Sequence, residues 1–394
     1  MNICFLAFLI LGFLVSCEEG LIDAPQENEI LDGPIEGLTT AQQIQFLNGD
    51  LAFSDVFTID EGLGPIFIAN QCLSCHPGDG RGSPFVRFTR FGQSDSSGNQ
   101  FLDLGGPQLQ HKAIPGFQPE ELPDGAPFAD FIAPPVTGLG FLDAVSDADL
   151  IALSDPNDSN GDGISGVPHW NSIPDYVSLR PNSVQQNGMY ISRFGKKANS
   201  YDLLQQTAGA YNQDMGVTSL FEPHDPLTGL EEDPEVSTQV INDVVAYLKT
   251  LKEPIPRDQN DPDVIVGKEL FTQIQCAVCH IPTLQTGFSP IEAISFKEFH
   301  PYTDLLLHDM GAGLDDGYTE GYAETYEWRT PPLWGLGLAR DAQGGQLFLM
   351  HDGRATSIEE AILLHGGEAE QSKNNFIQLS ELEKEQLLKF LESL

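Results

Sequence analysis

The sequence is short of cysteine and of basic residues, and after its first segment it has no long apolar run. Only six of its 394 residues are cysteine, and four of these lie in two short motifs. The other two, Cys4 and Cys17, lie in the N-terminal segment considered below, so no cysteines remain for a disulfide framework. Lys and Arg number 19 against 58 Asp and Glu, a formal net charge of −39. This negative charge argues against nucleic acid and anionic lipid surfaces as partners. The lack of a later apolar run argues against a membrane-spanning helix there.

The two cysteine motifs, Cys72–His76 and Cys276–His280, have the form Cys-x-x-Cys-His. This is the attachment pattern of c-type haem. Two thiols at this spacing can form thioethers to the vinyl groups of one porphyrin, and the adjacent histidine is then held under the iron. A thioredoxin-like redox pair or half of a zinc site is the alternative, but two copies that each precede a histidine favour haem. We therefore predict two covalent haem c groups, with Cys72, Cys75, Cys276 and Cys279 as attachment residues and His76 and His280 as iron ligands.

The N-terminal segment predicts export and a lipid anchor. Phe5–Val15 is an apolar run too short to span a bilayer as a stable helix, so residues 1–16 are interpreted as a lipoprotein signal peptide. The stretch ending at Cys17 resembles the lipobox of bacterial lipoproteins, in which the cysteine is acylated; an ordinary cleaved signal or a misassigned start codon is the alternative. Residues 17–38, rich in Asp, Pro and Gly, predict a flexible tether. The expected location is the bacterial cell envelope, anchored in the outer membrane.

Similar patterns around the two motifs predict a repeat. Phe67 and Phe271 each lie five residues before the first cysteine of a motif, and Tyr247 and Phe390 each begin an aromatic-Leu-x-x-Leu pattern. A helix that enters the haem motif and a terminal helix that crosses it form the cytochrome c arrangement. We expect two cytochrome c-like domains, residues 39–252 and 263–394, joined by a linker at 253–262.

The predicted fold class is mainly α with extensive loops, and the N-terminal domain carries large insertions. The chain has 39 Gly and 27 Pro, which favour turns over long regular elements. Helices are predicted at residues 40–49, 60–76, 146–153, 200–211, 238–251, 262–280, 357–365 and 380–394.

A second constellation begins at Asp158. Oxygen-bearing side chains at Asp158, Asn160 and Asp162, followed by a glycine and an apolar residue, match the start of an EF-hand-like calcium loop. The twelfth position is His169 rather than the bidentate glutamate, so the match is incomplete. We predict a calcium ion here, with an Asx-rich turn that needs no ion as the alternative.

Several blocks resemble a known group of enzymes. The C-terminal blocks are similar to those of bacterial di-haem cytochrome c peroxidases and of their relative that oxidises tryptophans of methylamine dehydrogenase. The N-terminal blocks resemble the di-haem oxidoreductase family. The blocks are residues 301–311, 327–333 and 351–354 in the C-terminal half, and 138–144, 155–166 and 193–197 in the N-terminal half. The resemblance implies a peroxide-reactive N-terminal haem, served by an acid/base carboxylate and a calcium ion between the haems, and an electron-transferring C-terminal haem.

The sequence departs from these peroxidases on one point. They place a displaceable histidine soon after the first motif, whereas no histidine lies between His76 and His111. The N-terminal haem is therefore expected either to have an open iron position or to be capped by another residue, with His111, His169 and His224 as candidates. Glu222 is considered as the distal acid, and the catalytic residues stay unassigned.

The resemblance also directs attention to His365. In the peroxidases, the position fourteen residues after the His-Asp-Gly histidine carries a distal methionine, and in the tryptophan-oxidising relative it carries a tyrosine. Counted from His351, this position is His365, which we predict to be the sixth ligand of the C-terminal haem iron. The alternative is a histidine at the end of a helix that interacts with the helix dipole, with Met310 or Met350 as the ligand instead.

The predicted function is an exported, peroxidase-like oxidoreductase that takes peroxide as substrate. Its electron donor is expected to be a small cytochrome, a cupredoxin or a quinol-linked donor, and membrane contact is expected only through the lipid anchor. The alternatives are a non-catalytic multihaem electron carrier and an accessory redox lipoprotein in iron or haem handling. Trp170 is considered as an electron relay or a packing residue, and His308 and Arg354 as haem-propionate contacts or structural residues.

Overall fold

The structure is a computed structural model that describes residues 25–394. The predicted signal peptide, the lipidation site Cys17 and the first part of the tether lie outside the described residues. Helices make up 34% of the structure and strands 12%, and most other residues form turns and loops. The prediction of a mainly helical chain with extensive loops is therefore right only in part, because short strands occur in both halves.

The helices and strands of residues 25–394 are short and alternate along the chain. The helices are α1 Thr40–Phe53, α2 Leu139–Asp143, α3 Asp147–Leu153, α4 Leu203–Met215, α5 Thr238–Thr250, α6 Pro262–Gln273, α7 Ala339–Ala342, α8 Ile358–Leu363, α9 Glu370–Gln378 and α10 Glu381–Ser393. The strands are β1 Ile66–Phe67, β2 Phe88–Phe91, β3 Lys112–Ala113, β4 Phe128–Phe131, β5 His169–Asn171, β6 Gln185–Gln186, β7 Met189–Ser192, β8 Leu284–Gln285, β9 Glu298–Phe299, β10 Leu307–Asp309 and β11 Glu327–Arg329. They pair antiparallel as β1–β3, β2–β4, β8–β9 and β10–β11, with β7 between β5 and β6.

Two helix crossings are built in the same way, one near each cysteine motif. Helix α1 packs across α5, and α6 packs across α10. A Cβ atom on Gly49 would collide with the carbonyl of Asp243, and one on Gly267 with that of Gln386, so glycine lets the two backbones meet directly. We call the part built on α1 and α5 the N-terminal unit and the part built on α6 and α10 the C-terminal unit. The domain boundaries given above stay a prediction.

An aromatic pair lies one helical turn beyond each glycine. Phe53 packs on Tyr247 with ring centroids 5.4 Å apart, and Phe271 packs on Phe390 at 5.5 Å. Each phenylalanine also lies near the histidine ring of its own motif, at 6.0 and 6.4 Å. The two units therefore hold their motifs through equivalent contacts, and the repeat of two cytochrome c-like domains stays a prediction.

The helix predicted at residues 60–76 is wrong. This stretch contains 3-10 turns and the strand β1. Pro65 has no backbone N–H and disfavours the helical conformation in the residue before it, so an α-helix does not continue through this position. As a result Phe53, at the end of α1, occupies the place equivalent to Phe271, and the match of Phe67 with Phe271 by spacing was wrong.

The other predicted helices are present, with ends that move by a few residues. The exception in length is the helix predicted at 262–280, which ends at Gln273 because Gln275 has a left-handed backbone with φ of +73°. The helix starts follow local capping chemistry. Ser146 accepts a hydrogen bond from the Asp149 backbone N–H, and Ser380 forms a capping box with Glu383.

Apolar cores lie between each helix pair and its cysteine motif. Buried residues of α5 recur at helical spacing through Ile241, Val244 and Leu248, and Leu387 and Leu391 do the same in α10. This amphipathic pattern fixes which face of each terminal helix points towards the motif. In the described part of the chain, residues 25–394, no helix combines the length and apolar content that a membrane crossing requires.

Candidate haem-binding cavity

Both cysteine motifs open into one continuous cavity of about 580 Å³. This volume is within the range of roughly 300–1,000 Å³ that is usual for cofactor and ligand sites. The predicted haem residues brought together on its lining are Cys72, Cys75, His76, Cys276, Cys279, His280 and His365. Residues far apart in the sequence are thus assembled around a single space.

The histidine of each motif is held in the form that can bind a metal. The Nδ1–H of His76 donates to the Pro134 carbonyl at 2.8 Å, and that of His280 donates to the Tyr302 carbonyl at 3.0 Å. Because Nδ1 carries the proton, Nε2 keeps its lone pair for a metal ion. Burial lowers the pKa of both histidines to about 4, so both imidazoles are neutral at neutral pH, as ligation requires.

His365 faces His280 across the cavity. It follows α8, and its Nδ1–H donates to the Ala361 carbonyl at 2.7 Å, which again leaves Nε2 free. The ring centroids of His365 and His280 are 6.5 Å apart. An imidazole nitrogen lies about 2 Å from a metal ion, so two imidazoles on opposite sides of one metal have centroids about 6.4 Å apart. The observed separation is therefore the one that two axial ligands of a single iron would have.

The cavity also collects positive charge that forms no ion pair within 4.0 Å with a carboxylate of residues 25–394. Arg81, Lys196 and Arg329 line it, although the chain as a whole carries a net charge of −39. Burial lowers the pKa of Arg81 and Arg329 to about 10 and that of Lys196 well below its usual range. Buried cations need an anionic partner, and haem brings two propionates. The cavity residues therefore fit haem on three counts, namely thiol spacing, imidazole orientation and charge.

The thiols themselves do not suit a thioredoxin-like redox pair. Burial raises the pKa of Cys72, Cys75 and Cys276 to about 12, whereas reactive thioredoxin-like cysteines have depressed pKa values. In residues 25–394, the one group of potential metal ligands that comes together is Cys279, Asp304 and His308. It contains a single cysteine, so it does not complete a zinc site from either motif.

Comparison with protein families decides the identity. Residues 127–394 match the family described as "Di-haem oxidoreductase, putative peroxidase". This stretch is more than half of the 394-residue chain, and it contains the second motif and His365. The chain belongs to this family. The resemblance predicted from the sequence is confirmed, and family membership implies haem cofactors.

Two solved structures are similar to this di-haem oxidoreductase at low identity. One is hydrazine synthase from Kuenenia stuttgartiensis, with 12% identity, a TM-score of 0.39 and 100% of both chains covered. The other is a MauG-like protein associated with microbial copper homeostasis, with 14% identity, a TM-score of 0.41, and 95% of this chain and 94% of that chain covered. No curated protein matches the sequence significantly.

A polar cluster lines the cavity of this oxidoreductase beside the first motif. Arg90 donates to the side-chain oxygens of Gln108 at 3.2 Å and Gln213 at 3.3 Å, and it pairs with Glu320. The Gln108 amide donates to the Asp214 carboxylate. Burial raises the pKa of Asp214 to about 6, against the opposing effect of the Gln108 bond. We call these five residues the distal cluster; their sequence positions share no local pattern that would have identified them.

The histidines considered as caps of the N-terminal haem are not on the cavity lining. His111 and His224 are exposed. His169 is buried, but its Nδ1–H donates to the Lys197 carbonyl at 2.6 Å and its Nε2 accepts the Tyr322 N–H at 3.0 Å. Each therefore has a surface or structural role, and no second imidazole of residues 25–394 packs against His76 as His365 does against His280.

The structure also locates Glu222, Trp170 and Arg354, which the sequence suggested as an acid, an electron relay and a haem-propionate contact. Glu222 does line the cavity, and it accepts a hydrogen bond from the Tyr176 hydroxyl at 2.6 Å. Trp170 packs against the N-terminal core rather than on the cavity lining, which favours the packing interpretation. Arg354 is held by Asp352 and Asp316, so it is structural.

Two alternatives for the C-terminal ligand, Met310 and Met350, also line the cavity. Both pack against the apolar cluster that contains Phe131, Tyr318 and Trp328, whereas the ring of His365 faces that of His280 at 6.5 Å.

The predicted calcium loop is exposed, and its polar groups bond one another. Asn160 donates to Asp162, and Asp158 accepts the Gly163 N–H at 3.1 Å. This is the bonding of an Asx-rich turn, and the calcium ion stays a prediction.

Proposed function

We propose that this di-haem oxidoreductase reduces peroxide at an N-terminal haem and receives electrons through a C-terminal haem. The proposal covers covalent attachment at Cys72, Cys75, Cys276 and Cys279 and axial ligation by His76, His280 and His365. The reaction balances as one peroxide, two electrons and two protons giving two waters. The electrons come one at a time from an external donor.

The observation that carries this proposal is the difference between the two histidine sites. His280 has a second imidazole opposite it at 6.5 Å, which suits a haem that only exchanges electrons. His76 has no such partner among residues 25–394, and the space beside its motif is lined by the distal cluster. When bound, haem supplies an iron that changes oxidation state and, where a coordination position is open, binds peroxide.

The distal cluster supplies the acid, base and charge that peroxide reduction needs. Asp214 has a pKa of about 6, so near neutral pH it can take a proton from peroxide and return it to a departing oxygen. Gln108 orients the Asp214 carboxylate by hydrogen bonding. Arg90 lies on the same cavity wall as a fixed cation that stabilises negative charge developing on oxygen.

Several finer parts of the proposal come from the sequence. They are export, lipidation at Cys17, the outer-membrane location, calcium bound by Asp158, Asn160 and Asp162, and a small cytochrome, cupredoxin or quinol-linked donor. The acidic composition of the chain favours a donor with a basic docking face, because opposite charge accelerates association.

The proposal is tested by replacing Asp214 with asparagine in the holoprotein. Peroxide-dependent oxidation of an added one-electron donor should fall by about 10²–10⁴-fold, the usual contribution of acid–base catalysis. In the parent protein kcat/KM should rise as pH increases through about 6, because the group needed as a base has that pKa, and this limb should be absent from D214N. Glu222→Gln tests the competing acid, since Glu222 lines the same cavity but bonds Tyr176; a larger loss in this variant than in D214N would assign the acid to Glu222 instead.

The carrier alternative makes the opposite prediction. If neither iron of the parent protein responds spectrally to cyanide or peroxide, in the oxidised or the half-reduced state, both irons are coordinatively closed. That result would overturn the peroxidase proposal.

A further inference from the structure

The chain on the two sides of His365 is held differently. On the N-terminal side, the Nδ1–H of His365 donates to the Ala361 carbonyl of α8 at 2.7 Å. On the C-terminal side, His365 is followed by Gly366 and Gly367, and Gly367 has a φ of +55°, a conformation that glycine adopts readily. Two glycines impose little backbone preference, so the C-terminal side of this turn depends on contacts from elsewhere in the chain.

Glu368 provides that attachment. It is three residues beyond His365, and its Oε2 lies 2.6 Å from His308 Nδ1. The other ring nitrogen of His308, Nε2, lies 2.8 Å from Asp304 Oδ2. His308 is 3% exposed and Asp304 2% exposed, so these two residues are shielded from water, while the side chain of Glu368 is 12% exposed.

The chemistry of this chain requires a charged histidine. Carboxylate oxygens accept hydrogen bonds, so an imidazole between two of them must carry a proton on both nitrogens. Burial disfavours that charge, but the bonds to Asp304 and to Glu368 outweigh it and raise the pKa of His308 well above its usual value. The result is a buried imidazolium 3.6 Å from Cys279 Sγ.

The same segment holds both sides of the C-terminal haem site. Tyr302, just before Asp304, accepts the hydrogen bond from His280. The backbone after His308 packs directly on the His365 turn, because a Cβ on Gly367 would collide with the Asp309 carbonyl. Residues 302–311 therefore connect the predicted proximal ligand with the predicted distal one.

We propose that Glu368, His308 and Asp304 form a tether that positions His365 on the C-terminal haem iron and places fixed charge beside that haem. The inference rests on the proposed function, because it requires haem at the second motif with His365 as ligand. The hydroxyl of Ser165, from the N-terminal half of the chain, donates a hydrogen bond to the Glu368 carboxylate. The tether therefore also joins the two halves of the molecule.

Two substitutions at Glu368 separate charge from position. Glu368→Gln keeps an oxygen that accepts from His308 and removes one negative charge. In a redox titration of the holoprotein, the ratio of reduced to oxidised C-terminal haem at a fixed ambient potential should rise by roughly tenfold, because less negative charge favours the reduced state. The ratio of reduced to oxidised N-terminal haem at the same potential should not change. Glu222→Gln, the same substitution in the N-terminal part of the cavity, should leave the C-terminal ratio unchanged.

Glu368→Ala and His308→Asn remove the tether itself. Part of the C-terminal iron should then change from low spin to high spin in the absorption and electron paramagnetic resonance spectra, because the His365 turn is released. The tether would be overturned by fully low-spin spectra in both variants. It would also be overturned if E368Q changed the ratio of reduced to oxidised haem equally at both haems. If these two variants do not fold, E368Q still tests the proposal. An unchanged ratio of reduced to oxidised C-terminal haem in E368Q would overturn the tether.

The outcome is separable from that of the proposed function. Loss of the low-spin signal in His365→Ala, together with no effect of E368Q, E368A or H308N, would leave the ligand in place and reject only the tether. A low-spin signal that persists in His365→Ala would reject the ligand and, with it, the tether.

Discussion

At the scale of single residues, the cavity holds two facing imidazoles at the second motif, His280 and His365, and the five polar residues of the distal cluster at the first. The attachment cysteines and their histidines are adjacent in the chain, so local spacing identifies them. His365 was found through a family block, by counting from His351. The distal cluster could not be found in either way, because Arg90 and Asp214 come from separate elements and meet only through tertiary contacts.

The ligand assignment makes a direct prediction at this scale. His365→Ala should convert one low-spin iron to a high-spin form that binds added imidazole or cyanide, because the imidazole facing His280 at 6.5 Å is removed. The measurement is the absorption and electron paramagnetic resonance spectrum of the purified holoprotein. Met350→Leu, which changes the competing ligand on the same cavity lining, should leave the spectrum as it is. The reverse pattern would identify Met350 as the ligand.

At the scale of elements, helices with clear caps and apolar periodicity were predictable, and elements set by long-range contacts were not. Ser380 marks the start of α10 both in the sequence and in the structure. The stretch at residues 60–76 failed because its apolar residues suggested a helix, while Pro65 and the pairing of β1 with β3 impose an extended path. The insertions of the N-terminal unit place β1 between α1 and its motif, and spacing alone does not show this.

The glycine at each helix crossing gives the element-scale prediction. Gly49→Ala and Gly267→Ala should each destabilise the protein by about 1–3 kcal/mol, because the added methyl collides with a backbone carbonyl of the crossing helix. Asn48→Ala, at an exposed position of the same helix α1, is the matched control. It should change the free energy of unfolding by no more than about 0.5 kcal/mol, as is usual for surface substitutions. Thermal or denaturant unfolding of the three holoproteins measures these effects, and equal changes would contradict the crossing argument.

At the scale of the whole molecule, one cavity serves both units, and the two halves of the chain contribute to each other's site. The predicted number of haems can be counted directly. Replacing Cys72 and Cys75 with alanine should halve the covalent haem seen by peroxidase staining of a denaturing gel, because only the second motif remains. Replacing Cys276 and Cys279 should remove the other half. Covalent haem retained after all four substitutions would exclude thioether attachment.

The three cations of the cavity have a consequence for the protein without its cofactor. Arg81, Lys196 and Arg329 repel one another across the cavity, and the nearby carboxylates Asp352 and Asp304 offset this repulsion only in part. Because a cation removed from water needs a close anionic partner, we expect the haem-free chain to unfold at a lower temperature than the holoprotein. The same charges that bind the cofactor would thus make stable folding depend on it.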